Sequence, residues 1–167
     1  DLRHQRVAAV TLEPRSVLAE FDAPSGRTTV RMSTQMPTGA RNTIAADMLG
    51  IAPEELRVIV GDVGGGFGMK TGLYPEDAVV AIAARQLRRS VKWIADRSEE
   101  FISSTHGRDV EAQCALAVAA DGKILALRIH SLANVGAYAG AAGVAIQLLI
   151  GPWVQTSVYD IQTIDFH

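Results

Sequence analysis

The sequence predicts an α+β fold of two layers, in which β-hairpins are backed by short helices. Two stretches of alternating apolar residues, 17–32 and 110–132, read as hairpins, and a helix with clear end signals lies between them. Hairpins and helices succeed one another without the regular strand–helix–strand rhythm of a doubly wound sheet. The 167 residues, 48% hydrophobic and 20% charged, suffice to bury the core of one soluble domain.

Residues 1–16 lack clear periodicity and read as a lead-in segment, with the domain itself expected over 17–167. Val17, Ala19 and Phe21 alternate, Pro24-Ser25-Gly26 makes a turn, and Thr28, Val30 and Met32 resume the alternation, so the first hairpin ends near Gln35. Arg41 to Leu49 fits a short helix with Ile44, Ala45 and Met48 inward and Gly50 as its stop. Leu56 to Val60 reads as a buried strand running into the loop GDVGGGFGMK. A second helix starts at Pro75, with Glu76 and Asp77 in its first turn and Arg85, Arg88 and Arg89 at its end, complementing the dipole at both poles. Val91 to Ala95 is a short strand, and Asp96 with Glu99 resembles a capping box for a brief third helix. In the second hairpin Asp121-Gly122 is the turn, and Cys114 falls on the apolar face, where a small buried side chain is expected. The stretch Gly140 to Trp153, GAAGVAIQLLIGPW, carries no charge and reads as buried or interfacial. It is too short to span a bilayer. The strand order is not legible from the residues.

Composition excludes several function classes. A net charge of −2 provides no field for nucleic acid. The arginines at 85, 88 and 89 have a local explanation in the helix end. A single cysteine builds neither a disulfide framework nor an iron–sulfur site and points to a reducing, cytoplasmic compartment. His4, His106, His130 and His167 are scattered without metal-ligand spacing.

The loop around Phe67 is the chemically informative segment. Gly64, Gly65, Gly66 and Gly68 permit positive φ and close approach of main chain to a ligand, and successive N–H groups in such a loop form an anion-binding concavity. A phosphate-binding loop would need glycine where Met69 stands before Lys70, and a dinucleotide fingerprint fails in either frame, at Met69 or at Thr71. A plain surface loop with flexible glycines is the other reading of these residues.

The wider context resembles a known family. LEPR (12–15), STQMP (33–37), Leu49-Gly50-Ile51, LRVIVGDVGGGFGMK (56–70), SVKWIADRSEE (90–100), DGKILALRI (121–129) and NVGAY (134–138) are similar, in order and spacing, to segments of the molybdopterin-binding subunit of molybdenum hydroxylases. That family comprises the xanthine dehydrogenases, aldehyde oxidases and carbon monoxide dehydrogenase large subunits. The resemblance implies a molybdenum-cofactor-binding domain, present here as a partial chain. It implies that Gln35 donates its amide to an oxo group on molybdenum, and that Gly65, Gly66, Phe67 and Gly68 line the cofactor, with Phe67 shaping the substrate channel. Phe67 as a core plug beneath the loop is the bland alternative. Lys70 matches a family lysine, for which solvent exposure is the bland alternative; Thr71 replaces a glutamate common in purine-oxidising members.

The resemblance further implies molybdopterin, bare or as the cytosine dinucleotide, as cofactor of the parent enzyme. Iron–sulfur and FAD subunits would be its partners. The reaction would be oxidation of an aldehyde, a heterocycle or CO with oxygen from water. The family's arginine loop and late general-base glutamate have no counterpart in these residues. The alternative expectation is therefore a cofactor-free structural or interaction fragment, inactive alone and prone to self-association.

Overall fold

The computed structural model describes residues 1–167, the side chain of Ala141 excepted. Its strands are β1 (Leu2–Ala8), β2 (Ser16–Asp22), β3 (Arg27–Met32), β4 (Leu56–Ile59), β5 (Val91–Ile94), β6 (His106–Val118), β7 (Ile124–Ala133) and β8 (Thr163–Phe166). The helices are α1 (Pro37–Thr43), continued by a π-helical stretch Ile44–Leu49, then α2 (Pro75–Leu87), α3 (Arg97–Ser103), α4 (Ala141–Ala145) and α5 (Gly151–Trp153), the last two joined by a π-helical stretch Ile146–Ile150. The chain forms two compact units, one comprising Ala9–Ser104 and the other Asp1–Ala8 with Thr105–His167. Two mixed sheets with short helices confirm the α+β class.

In the unit 9–104 the sheet order is β4-β3-β2-β5. β2 and β3 pair antiparallel with Val17 opposite Met32 and Ala19 opposite Val30, β5 lies antiparallel to β2, and β4 runs parallel to β3. Because side chains alternate across a strand, Val17, Ala19, Val30, Met32 and Leu56 fall on one face, where they pack on Ala40, Ile44 and Ala45 and on Val80, Ala81 and Ala84. This sheet-on-helix contact is the two-layer core.

The helix expected from Arg41 begins earlier, at Pro37, whose fixed φ suits a first helical position, and ends at Gly50 in the left-handed region (φ 62°). α2 starts at Pro75 as expected. Its Arg85 does more than oppose the dipole: it lies over the Phe21 ring at 5.0 Å and donates to Thr28 Oγ1 at 2.8 Å, fixing the helix to the hairpin. Asp96 caps α3 by accepting from the Glu99 N–H at 2.7 Å.

In the other unit the order is β1-β6-β7-β8, antiparallel except for the parallel β7–β8 pair. Residues 2–8, read as part of a lead-in without periodicity, form a strand. β1 is an edge strand exposed along most of its length, so it needs no apolar alternation. The second hairpin forms where expected, with Gly122 at φ 90° in the turn. The placement of Cys114 requires a correction: the thiol is exposed, along with Leu116 and Val118 on the same face. The alternation is real and the face is covered in part: Ile129, directly opposite Cys114, is buried, while the β6 residues from Cys114 onward stay exposed. Within the uncharged stretch 140–153, residues 141–153 are helical, with Leu148 69% and Trp153 80% exposed.

Candidate functional site

The glycine loop leaves β4 and returns to helical geometry only at a single tight turn, Met69–Thr71. Gly65 (φ 99°) and Gly68 (φ 87°) use the conformational freedom that their lack of Cβ confers. Phe67 between them is also left-handed, at φ 53°, which a bulky residue adopts at a cost of about 1–3 kcal/mol and mostly at functional sites. The residue is 76% exposed, so it is not the core plug that the bland reading offered.

Gln35 lies against this loop. Its Oε1 accepts the Gly68 N–H at 3.1 Å, and its own N–H donates to the Lys70 carbonyl at 2.9 Å. A Cβ on Gly66 would stand 2.4 Å from Gln35 Oε1, so the missing side chain is the space that the glutamine occupies. With Oε1 facing a backbone donor, Nε2 is the end left to donate outward, and it has no protein partner among the described residues. Among the described residues the N–H groups of Gly65, Gly66 and Phe67 also make no hydrogen bond. The structure thus gathers Gln35, Gly65, Gly66, Phe67 and Gly68 at one surface, presenting donors and no carboxylate of their own.

Lys70 behaves unlike an exposed lysine. It is 1% exposed and its Nζ donates to Glu13 O at 2.9 Å, Glu13 Oε2 at 3.0 Å and Ser33 Oγ at 2.7 Å. Three donors meet three acceptors, which is what a buried ammonium requires. The same Glu13 Oε2 accepts Ser33 Oγ–H at 2.7 Å and the Gly64 N–H at 2.8 Å. Desolvation pushes the Glu13 carboxyl up, yet the bonds from Ser33, Gly64 and Lys70 outweigh it and hold the pKa below the usual glutamate value. A lysine engaged in this way cannot reach a nucleotide phosphate, and no long helix opens at the loop, so the phosphate-loop reading fails on structure as it did on sequence. An open groove of ≈ 360 Å³ runs beside Glu13 and Ser33 over the sheet face, past Arg31 and Lys92.

Arg15 is a second buried cation that sequence reading did not single out. Its guanidinium lies 3.7 Å from the Tyr74 ring centroid and forms ion pairs with Glu76 at 3.3 Å and with buried Glu100 at 3.4 Å. It ties the chain preceding β2 to α2 and α3. Glu13 and Arg15 both lie in LEPR, and Ser33 lies in STQMP. The signal for them was that charged or polar residues recur in the segments carrying the resemblance; what that signal lacked was any statement of who pairs with whom. Among the described residues no group of three His, Cys, Asp or Glu is arranged for a metal ion, and no helix is long and apolar enough to cross a membrane.

Comparison with known proteins identifies the family. The molybdopterin cofactor-binding domain model matches residues 1–167. The nicotine 6-hydroxylase large subunit of Paenarthrobacter nicotinovorans is 35% identical over 133 residues, covering 80% of this chain and 16% of that protein. The carbon monoxide dehydrogenase large chain of Hydrogenophaga pseudoflava is 36% identical over 139 residues, covering 83% of this chain and 17% of that one. Among solved structures, quinoline 2-oxidoreductase from Pseudomonas putida 86 superposes with a TM-score of 0.87 at 33% identity, over 99% of this chain and 22% of that chain. The chain therefore spans under a quarter of the length of these relatives. Free donors on a glycine loop, an oriented glutamine beside it and a family match from the first residue to the last lead to one conclusion: the chain belongs to the molybdopterin cofactor-binding domain family of molybdenum hydroxylase large subunits.

Proposed function

We propose that this chain contributes the Gln35 and glycine-loop wall to the molybdenum cofactor site of a hydroxylase that oxidises an aldehyde, a heterocycle or CO. The observation that carries this reading is the orientation of Gln35, whose Oε1 is taken by Gly68 while Nε2 is free beside three unpaired loop N–H groups. A bound molybdopterin would supply two-electron redox chemistry with oxygen drawn from water. This chain's share is binding and orientation. Gln35 Nε2 would donate a neutral hydrogen bond to the bound cofactor, adding no charge to an anionic centre, while the backbone of Gly65 to Gly68 would line it and Phe67 would narrow the approach. Thr71, bonded through Oγ1 to the Gly68 carbonyl at 2.7 Å, places no carboxylate at the site, which disfavours a purine substrate.

The parent enzyme would be cytoplasmic and pass its electrons to iron–sulfur and FAD subunits. The chain alone is expected to turn over neither aldehyde nor CO, because general-base assistance, typically worth about 10²–10⁴ in rate, and the electron acceptors would come from elsewhere. Elemental analysis of the chain expressed in a host that makes the cofactor tests the assignment. Molybdenum is expected in the wild type and reduced at least fivefold in Gln35→Ala, with mass spectrometry of the released pterin distinguishing the bare form from the cytosine dinucleotide. A folded wild-type chain without molybdenum would favour a structural fragment instead.

A further inference from the structure

Glu13 meets the glycine loop at both of its ends. At the first end, the Gly64 N–H donates to Glu13 Oε2 at 2.8 Å while the Glu13 N–H donates to the Gly64 carbonyl at 3.0 Å. At the other, Lys70 Nζ holds both the carboxylate and the main-chain carbonyl of Glu13 at 3.0 and 2.9 Å. The approach at Gly64 is so close that a Cβ there would lie 2.4 Å from Glu13 Cβ. Between these two ties the loop is held by the Met69 N–H on the Gly66 carbonyl at 2.9 Å, the Gly68 N–H on Gln35 and the Thr71 hydroxyl on the Gly68 carbonyl, while among the described residues Gly65, Gly66 and Phe67 donate no hydrogen bond and Phe67 keeps an unfavourable φ of 53°. The Gln35 N–H, in turn, donates to the carbonyl of the same Lys70 at 2.9 Å.

We propose that Glu13 is a positioning residue of the site: by clasping Gly64 and Lys70 it sets the loop's shape and, through Gly68, the orientation of the Gln35 amide. The proposal rests on reading the loop and Gln35 as the cofactor wall, but the clasp itself is a property of the protein without cofactor. Among the described residues Glu13 makes no hydrogen bond to Gly68 or to the Gln35 side chain, so a loss of its bonds acts there through the loop. A carboxylate suits the task because a single oxygen can accept from an ammonium, a hydroxyl and a backbone N–H at once, and an amide in its place keeps the shape but weakens the set.

The test is NMR on the full chain without cofactor, following amide exchange at Gly68 and Met69 and the side-chain amide signals of Gln35. In Glu13→Ala, Gly68 and Met69 are expected to exchange at least tenfold faster and the Gln35 signals to shift, while Ala81 and Ala84 in α2 stay within twofold of wild type. Glu13→Gln, which preserves packing, is expected to give an intermediate response and decides the matter alone if the alanine variant does not fold. Unchanged rates at Gly68 and Met69, or an increase shared equally by α2, would overturn the proposal. Molybdenum content of the wild type is read separately: its absence removes the cofactor assignment while the exchange data still decide the clasp.

Discussion

Gly66 has no room for a side chain, and the atoms filling that room belong to Gln35. Gly66→Ala is therefore expected to push the Gln35 amide off Gly68. Because the displaced group is an exposed, flexible side chain, stability should fall by less than about 1 kcal/mol, well under a core overpacking penalty. Molybdenum content should nevertheless drop at least fivefold, and a variant that loads normally would show that Gln35 does not matter. Asp77 supplies a pH effect. Burial raises its pKa from 3.8 to about 6, against the lowering by the Tyr74 N–H and the Arg15 charge. A raised carboxylate stabilises the fold most below its unfolded value, so this contribution is present near pH 3.8 and is lost as the pH climbs through about 6. Asp77→Asn keeps an acceptor for Tyr74 and is expected to gain roughly 1–3 kcal/mol at pH 7, flattening that decline in urea titrations run between pH 4 and 8. Legibility at this scale was uneven. Gln35 and residues 65–68 could be named from their motifs and lie together as expected, whereas Glu13, Ser33 and Arg15 could not be assigned partners, because a buried ion pair leaves no periodicity and its members lie far apart in sequence.

Elements whose signals were local formed where the residues placed them: the hairpin β2–β3 by alternation, α2 by Pro75, α3 by its Asp96 cap. Elements defined by distant partners did not announce themselves. β1 is polar on both faces, and the parallel pairings β3–β4 and β7–β8 depend on crossovers that no turn residue marks. The hairpin β6–β7 combines both cases, correctly placed by its Asp121-Gly122 turn, with Ile129 of its apolar face buried but Cys114, Leu116 and Val118 exposed. Alternation reports which residues share a face; what covers the face is a separate matter. Cys114 makes this measurable: the native chain should react with one equivalent of a thiol reagent, at the rate of a free thiol and without denaturant. Labelling that requires urea would mean that Cys114 is covered as Ile129 is.

Exposed apolar side chains also bear on the whole molecule. Leu148, Leu149 and Ile150 in the stretch 146–150, with Trp153 beyond it, are all exposed, and large exposed apolar surfaces are rare on stable monomers. The chain is expected to self-associate. Sedimentation velocity over a hundredfold concentration range should show a rising mean mass, reversed in Leu148→Lys/Leu149→Glu, and a constant monomer would overturn the expectation. The α+β class was readable as a whole because it depends only on the succession of hairpins and helices. The division into two units was not, since the unit containing β1 closes only when the chain returns at residue 105.

That return has a kinetic side. β1 and β6 are adjacent antiparallel strands with Ala8 opposite His106, so everything from residue 9 to 104 is, for their pairing, one loop. Closing a disordered loop of about a hundred residues costs roughly 4 kcal/mol in chain entropy. Local contacts within 9–104, above all the hairpin β2–β3 and the helix packed on it, incur no such penalty and can form first. Once they have, the chain between Ala8 and His106 is a folded body with far fewer conformations, and the remaining closure is correspondingly cheaper. A substitution that loosens the core around Ile44 and Ala81 would therefore also slow the pairing of β1 with β6, strands to which neither residue belongs.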